Sequence, residues 1–125
     1  MSNLDTVNAF LAAAAKRDYD RCLPLLTDDV EYQNMMLPAV HGHAEVREML
    51  EGLLALCTGS EWVVHRELAQ GDLVMNERTD RFRIGETWTD LPVMGVFTLR
   101  DGRIALWRDY FDLQTVMSGM TPPTG

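Results

Sequence analysis

"LVMNERTDRFRIGETW", residues 73–88, alternates between two kinds of side chain up to a Gly-Glu pair at 85–86 and then starts again. In an extended chain successive side chains point to opposite faces, so Val74, Arg78, Asp80 and Phe82 share one side. Glu77, Thr79, Arg81 and Arg83 share the other, which reads as a solvated face. Period-two alternation closed by a glycine turn predicts a β-hairpin. Its more apolar face carries two charges, Arg78 and Asp80. An uncompensated buried ion costs several kcal/mol, as an order of magnitude, so these two need partners and a reason.

Working outward, "GD" at 71 and "DG" at 101 mark two more turns. They separate strands predicted at 61–69, 73–84, 87–99 and 103–112, sequential neighbours and therefore antiparallel in one sheet. Upstream the period changes. Leu4, Val7, Leu11 and Ala14 recur at helical spacing behind the capping-box-like "SNLD", which predicts a helix over 3–17. A short helix at about 19–26 is limited by Pro24, and "VEYQNMML" at 30–37 reads as a strand stopped by Pro38. Val46, Met49, Leu50, Leu53, Leu54 and Cys57 form one stripe of a third helix over 44–57, with Gly59 as its stop. We expect one α+β domain over residues 1–125, with helices on the concave side of a curved sheet and a pocket in the cup. The Gly- and Pro-rich end, from about residue 118, reads as a loose tail.

Composition narrows the function. A net charge of −8, from 11 basic and 19 acidic residues, leaves no basic stripe to neutralise phosphates, so nucleic acid is not an expected partner. No run approaches the roughly 20 apolar residues of a membrane span, and no signal-like start is present, so a cytoplasmic location without membrane association is expected. Cys22 and Cys57 lack CxxC spacing and read as core thiols. His41 and His43 have no third ligand at a family spacing, and His65 stands alone in a strand, so no metal site is expected. Phosphate-binding glycine loops and GxSxG elbows are missing as well.

Two further strands place polar groups on apolar faces. Ala105, Trp107, Asp109, Phe111 and Leu113 share a side, as do Val30, Tyr32, Asn34 and Met36. Singly, an Arg78–Asp80 ion pair, a loop-capping Asp109, a half-buried Tyr32 or a turn-bonding Asn34 is ordinary structure. Jointly, three apolar faces have each accepted groups that cost stability, and one cup can bring all three together. Two carboxylates around one guanidinium repel one another, which favours keeping one proton between them. One Asp then serves as base and the other as acid. A water donating to Asp109 and the Asn34 carbonyl oxygen, and accepting from the Tyr32 hydroxyl, keeps a lone pair free to attack.

The segments "EYQNMMLP", "NERTDRF" and "GVFTLRDGRIALWRDYFDL" together resemble the limonene-1,2-epoxide hydrolase family across most of the chain. The resemblance implies a nuclear-transport-factor-2-like (NTF2-like, cystatin-like) cone with a curved mixed sheet, related to the polyketide-cyclase-like (SnoaL-like) proteins. It implies a homodimer with no metal or organic cofactor. It further implies that Asp109 is the base that activates water, Asp80 the acid that protonates the epoxide oxygen, and Arg78 the bridge between them. Tyr32 and Asn34 would hold the water, and a small to medium lipophilic epoxide would open to a vicinal diol in one step. Faces and spacing name Leu53, Leu91, Val93, Phe82, Phe111, Met35 and Met36 as candidate pocket wall. A polyketide cyclase or ketosteroid-isomerase-like enzyme of the same fold leaves Asn34 and the second carboxylate without a role. A non-catalytic binding module gives the charged triad none.

Overall fold

The computed structural model describes residues 1–119. Its order is α1 (Asn3–Ala15), α2 (Tyr19–Cys22), a 3-10 turn (Leu23–Leu25), β1 (Leu26–Met35), β2 (Val40–His41), α3 (Gly42–Leu54), β3 (Gly59–Gln70), β4 (Leu73–Ile84), β5 (Thr87–Arg100), β6 (Arg103–Tyr110) and α4 (Leu113–Gly119). The six strands form one curved, unclosed sheet in the order β2-β1-β6-β5-β4-β3. The meander β3 to β6 is antiparallel throughout, while β1 lies parallel to β6 and makes the sheet mixed. This is the expected α+β, NTF2-like architecture.

Local chemistry accounts for the boundaries. Ser2 Oγ accepts from Asp5 N–H and Asp5 returns a bond to Ser2 N–H, a full capping box that starts α1. Pro24 has no N–H to donate, and the expected short helix accordingly splits into α2 and a 3-10 turn. That brings β1 forward to Leu26, four residues earlier than the alternation alone predicts. Helix α3 ends at Leu54, before Gly59, which instead opens β3. Asp101 and Gly102, both at positive φ, make the tight β5–β6 turn.

Two elements were not expected. Strand β2 is only two residues, held antiparallel to β1 through Tyr32↔Val40 and Glu31↔His41. Helix α4 occupies residues 113–119, where the last strand was expected to reach 112 and a loose tail to begin near 118. Asp112 starts it by accepting from Gln114 N–H and the Thr115 hydroxyl. The rest of the expected tail, 120–125, lies outside the described residues.

The main core joins Val7, Phe10 and Leu11 of α1 and Val46 and Leu50 of α3 to the inner faces of β1, β5 and β6. A smaller cluster, Leu54, Cys57, Phe82, Ile84, Leu91 and Val93, fills the other end. Cys22 and Cys57 are buried free thiols, and burial raises both above the usual thiol range, so neither is a ready nucleophile. No helix among the described residues is long and apolar enough to cross a membrane.

Candidate active site

Between the sheet and α3 lies a cavity of about 650 Å³. Its polar end is built from three strands. β4 alternates strictly, so Val74, Asn76, Arg78, Asp80, Phe82 and Ile84 all point inward and are buried. β6 contributes Trp107 and Asp109, and β1 contributes Tyr32 and Asn34. The parallel register sets Asn34 beside Asp109 and Tyr32 beside Trp107, which is how residues distant in sequence come to share one wall.

Arg78 is 1 % exposed and sits behind the carboxylates rather than in the cavity wall. Its Nε and Nη2 donate to the two oxygens of Asp80, both at 3.0 Å, in a fork. Nη2 also donates to Asp109 Oδ2 at 2.9 Å, and Nη1 donates to Asn76 Oδ1 at 3.0 Å. The other oxygen of Asp109 accepts from Trp107 Nε1 at 2.8 Å. Trp107 is itself fixed by stacking on Tyr32 at 3.9 Å and by the edge contact with Phe10 at 5.0 Å. Tyr32 donates to Asn34 Oδ1 at 3.1 Å. The sequence reading had the Tyr32 proton directed at a water, whereas here the two side chains bond directly. Asn34 Oδ1 retains a second lone pair, so it can still accept from a water beside Asp109.

Electrostatics divide the groups. Burial pushes the Asp80 carboxyl above the usual carboxylate range; the hydrogen bonds and charge of Arg78 oppose this, and the Asp109 charge adds to it. Burial alone would weaken the Arg78 cation, but Asp109 and Asp80 more than offset that and raise it, so it stays charged. Burial also raises the Tyr32 phenol, with the Asp109 charge in support, leaving Tyr32 protonated. The result is a fixed cation, a carboxyl inclined to keep its proton, and a second carboxylate held by two donors.

All five sequence-predicted polar residues therefore converge. Of the predicted wall, Leu53, Phe82, Leu91, Val93 and Phe111 border the cavity. Met35 and Met36 do not. Met35 follows the inward Asn34 and so points away, and β1 ends there in a turn closed by Leu37 N–H on Asn34 O, so the alternation never reaches Met36, which is 86 % exposed. Leu37 from that turn and Val40 from β2, with Trp62, Leu113 and Val116, take up wall positions that the sequence reading did not name. It also left Asn76 and Trp107 without a role at the site. Both share an inward face with an assigned residue two positions away, which is the signal that could have found them.

His41 is paired with Glu31, His43 with the Leu26 carbonyl, and His65 with Thr79. No group of three or more His, Cys, Asp or Glu among the described residues is placed to hold a metal ion.

Residues 1–122 match the family model described as the limonene-1,2-epoxide hydrolase catalytic domain. The chain belongs to the limonene-1,2-epoxide hydrolase family. Among the relatives of this limonene-1,2-epoxide hydrolase family member is the epoxide hydrolase EphG of Mycobacterium tuberculosis, 38 % identical over 114 residues, covering 91 % of this chain and 76 % of EphG. A solved M. tuberculosis LEH-like epoxide hydrolase superposes with a TM-score of 0.80 at 35 % identity, covering 94 % of this chain and 91 % of that one. A putative SnoaL-like polyketide cyclase from Jannaschia sp. CCS1 gives 0.84 at 21 % identity, covering 98 % and 93 %, a likeness of fold alone.

Proposed function

We propose that the protein is an epoxide hydrolase that opens a small to medium lipophilic epoxide, of the limonene-1,2-epoxide or cyclic alkene oxide kind, to a vicinal diol in a single acid and base step. The observation that carries this reading is one buried guanidinium holding two carboxylates at the polar end of an otherwise largely apolar cavity. Asp109 takes a proton from a water that it shares with Asn34, and the water oxygen attacks one epoxide carbon. The C–O bond breaks as Asp80 delivers its proton to the leaving oxygen, and Arg78 carries the change of charge between the two acids. Each reactant is present before the step, so no covalent enzyme ester is needed.

The size and lining suit a compact lipophilic ligand. Glu45 and Glu48 of α3 stand at the wall as further acids, and like charge there disfavours a substrate bearing its own carboxylate. The test is incubation in oxygen-18 water with limonene-1,2-epoxide, cyclohexene oxide, and an epoxy fatty acid beside its methyl ester. Labelled diol is expected from neutral epoxides, with the ester preferred to the free acid. Isomerised product without solvent oxygen would replace the hydrolase reading with that of an isomerase.

Following the family resemblance, we also propose that the chain works as a homodimer. Light scattering should give twice the 14.2 kDa chain mass, and a monomer mass at working concentration would refute it.

A further inference from the structure

Arg78 has more than the two aspartates as partners. Its Nη1 donates to Asn76 Oδ1 at 3.0 Å, whereas the two aspartates are held by Nε and Nη2. Asn76 sits two residues earlier on the same face of β4, is 2 % exposed, and does not border the cavity. Its amide Nδ2 is buried, and among the described residues finds no hydrogen-bond partner. An unmade buried donor costs stability. An apolar residue there would avoid that cost, and a carboxylate would bind the cation more strongly, so the feature to explain is a neutral acceptor oxygen.

The strand opposite points the same way. In the β4–β5 register Asn76 faces Gly95. A Cβ on Gly95 would overlap Arg78 Nη1 and come within 2.8 Å of Asn76 Oδ1. Gly95 thus opens the slot in which the guanidinium lies, and Asn76 closes its far end.

We propose that Asn76 is a positioning residue for the reaction, seating Arg78 in the slot left by Gly95 and, by being neutral, limiting the Asp80–Asp109 pair to one shared proton. This rests on the hydrolase reading. The titratable and charged groups facing the guanidinium are Asp80 from β4, Asp109 from β6 and the Tyr32 phenol from β1; at the nearest positions β5 offers Val93 and Gly95, and β3 offers Val64. With one cation and two carboxylates, one proton makes the group neutral. A third carboxylate would call for a second proton, and the base would be protonated at pH values where it now works.

Asn76→Asp tests this with little change in shape. In the wild type the hydrolase reading predicts a rate of epoxide opening limited at low pH by protonation of the base and at high pH by ionisation of the acid. Both limbs are expected to move to higher pH in the variant, by about one unit or more, with KM little changed. Asn76→Ala removes the acceptor without adding charge. It is expected to lower kcat by about 10- to 100-fold at nearly constant KM, since Arg78 is no longer held in place. Carbon-13 NMR titration of the aspartate carboxyls supplies a readout that needs no substrate. An upward move of the Asp80 titration in Asn76→Asp, in a protein that opens no epoxide, would sink the hydrolase reading and uphold the role of Asn76. Unchanged limbs and an unchanged Asp80 titration in a folded Asn76→Asp, or wild-type kcat in Asn76→Ala, would reduce Asn76 to packing. Should the aspartate variant fail to fold, the alanine variant alone decides.

Discussion

Asp109→Asn is expected to lower kcat by at least about 10³-fold in a protein that still folds, because in the proposed mechanism one substitution removes the base and weakens the acid together. In the wild type, burial pushes the Asp80 carboxyl above the usual carboxylate range, against the pull of Arg78 and with help from the Asp109 charge, which favours keeping its proton. An amide at position 109 cannot take a proton from water, and it leaves Arg78 with Asp80 as its single anionic partner. The balance at Asp80 then moves toward the ionised form, which has no proton to give to an epoxide oxygen. It follows that adding Asp80→Asn to Asp109→Asn should cost little more than the first change alone, as for groups that act as a unit. Single-turnover rates for the two single variants and the double variant measure this, with a thermal melt to show that each is folded. A folded Asp109→Asn variant with near-normal turnover would remove Asp109 from the chemistry.

Arg78→Leu should be the most damaging change to stability, costing about 3–5 kcal/mol at neutral pH, because it strands two buried acids without their cation. Asp80 and Asp109 are 5 % and 4 % exposed, and Arg78 donates to both. The sign of the pH dependence follows from proton counting. Without the cation, the folded variant holds protons on its buried acids more tightly than the unfolded chain does. Stability is then fullest at acid pH and declines as pH rises through the range in which the unfolded acids ionise but the folded ones resist. Urea unfolding of wild type and variant at neutral and at mildly acid pH should show the deficit shrinking toward acid. A deficit independent of pH would mean that lost packing, not stranded charge, is the cause.

Much of this was legible in the sequence because β4 obeys one rule along its whole length. Arg78 and Asp80 are charges on a face whose neighbours are apolar, and Asp109 stands out among aromatics for the same reason. Charge is conspicuous, and a neutral amide is not. Asn76 reads as an ordinary polar residue until a guanidinium is known to lie beside it, and Trp107 reads as core until its N–H is seen on Asp109. The error at Met36 came from extending an alternation past the last residue that obeys it, whereas Met35 obeys the alternation and for that reason faces away from the cavity. Strand β2 and helix α4 are too short to show periodicity; one exists through pairing with β1 and the other through the Asp112 cap. Wall positions such as Trp62 and Val116 depend on how elements meet, which local spacing does not encode.

The parallel seam between β1 and β6 sets Asn34 against Asp109, an early strand against the last one. The proposed water-binding place lacks its Asp109 half in a chain that has emerged without β6, however well its helices and first hairpins have formed. Closing so long a loop is a late and entropically costly event in assembly. Turnover would therefore serve as a completion signal: a refolding sample is expected to regain it only when β6 has docked against β1, and a nascent chain only after β6 has emerged and paired.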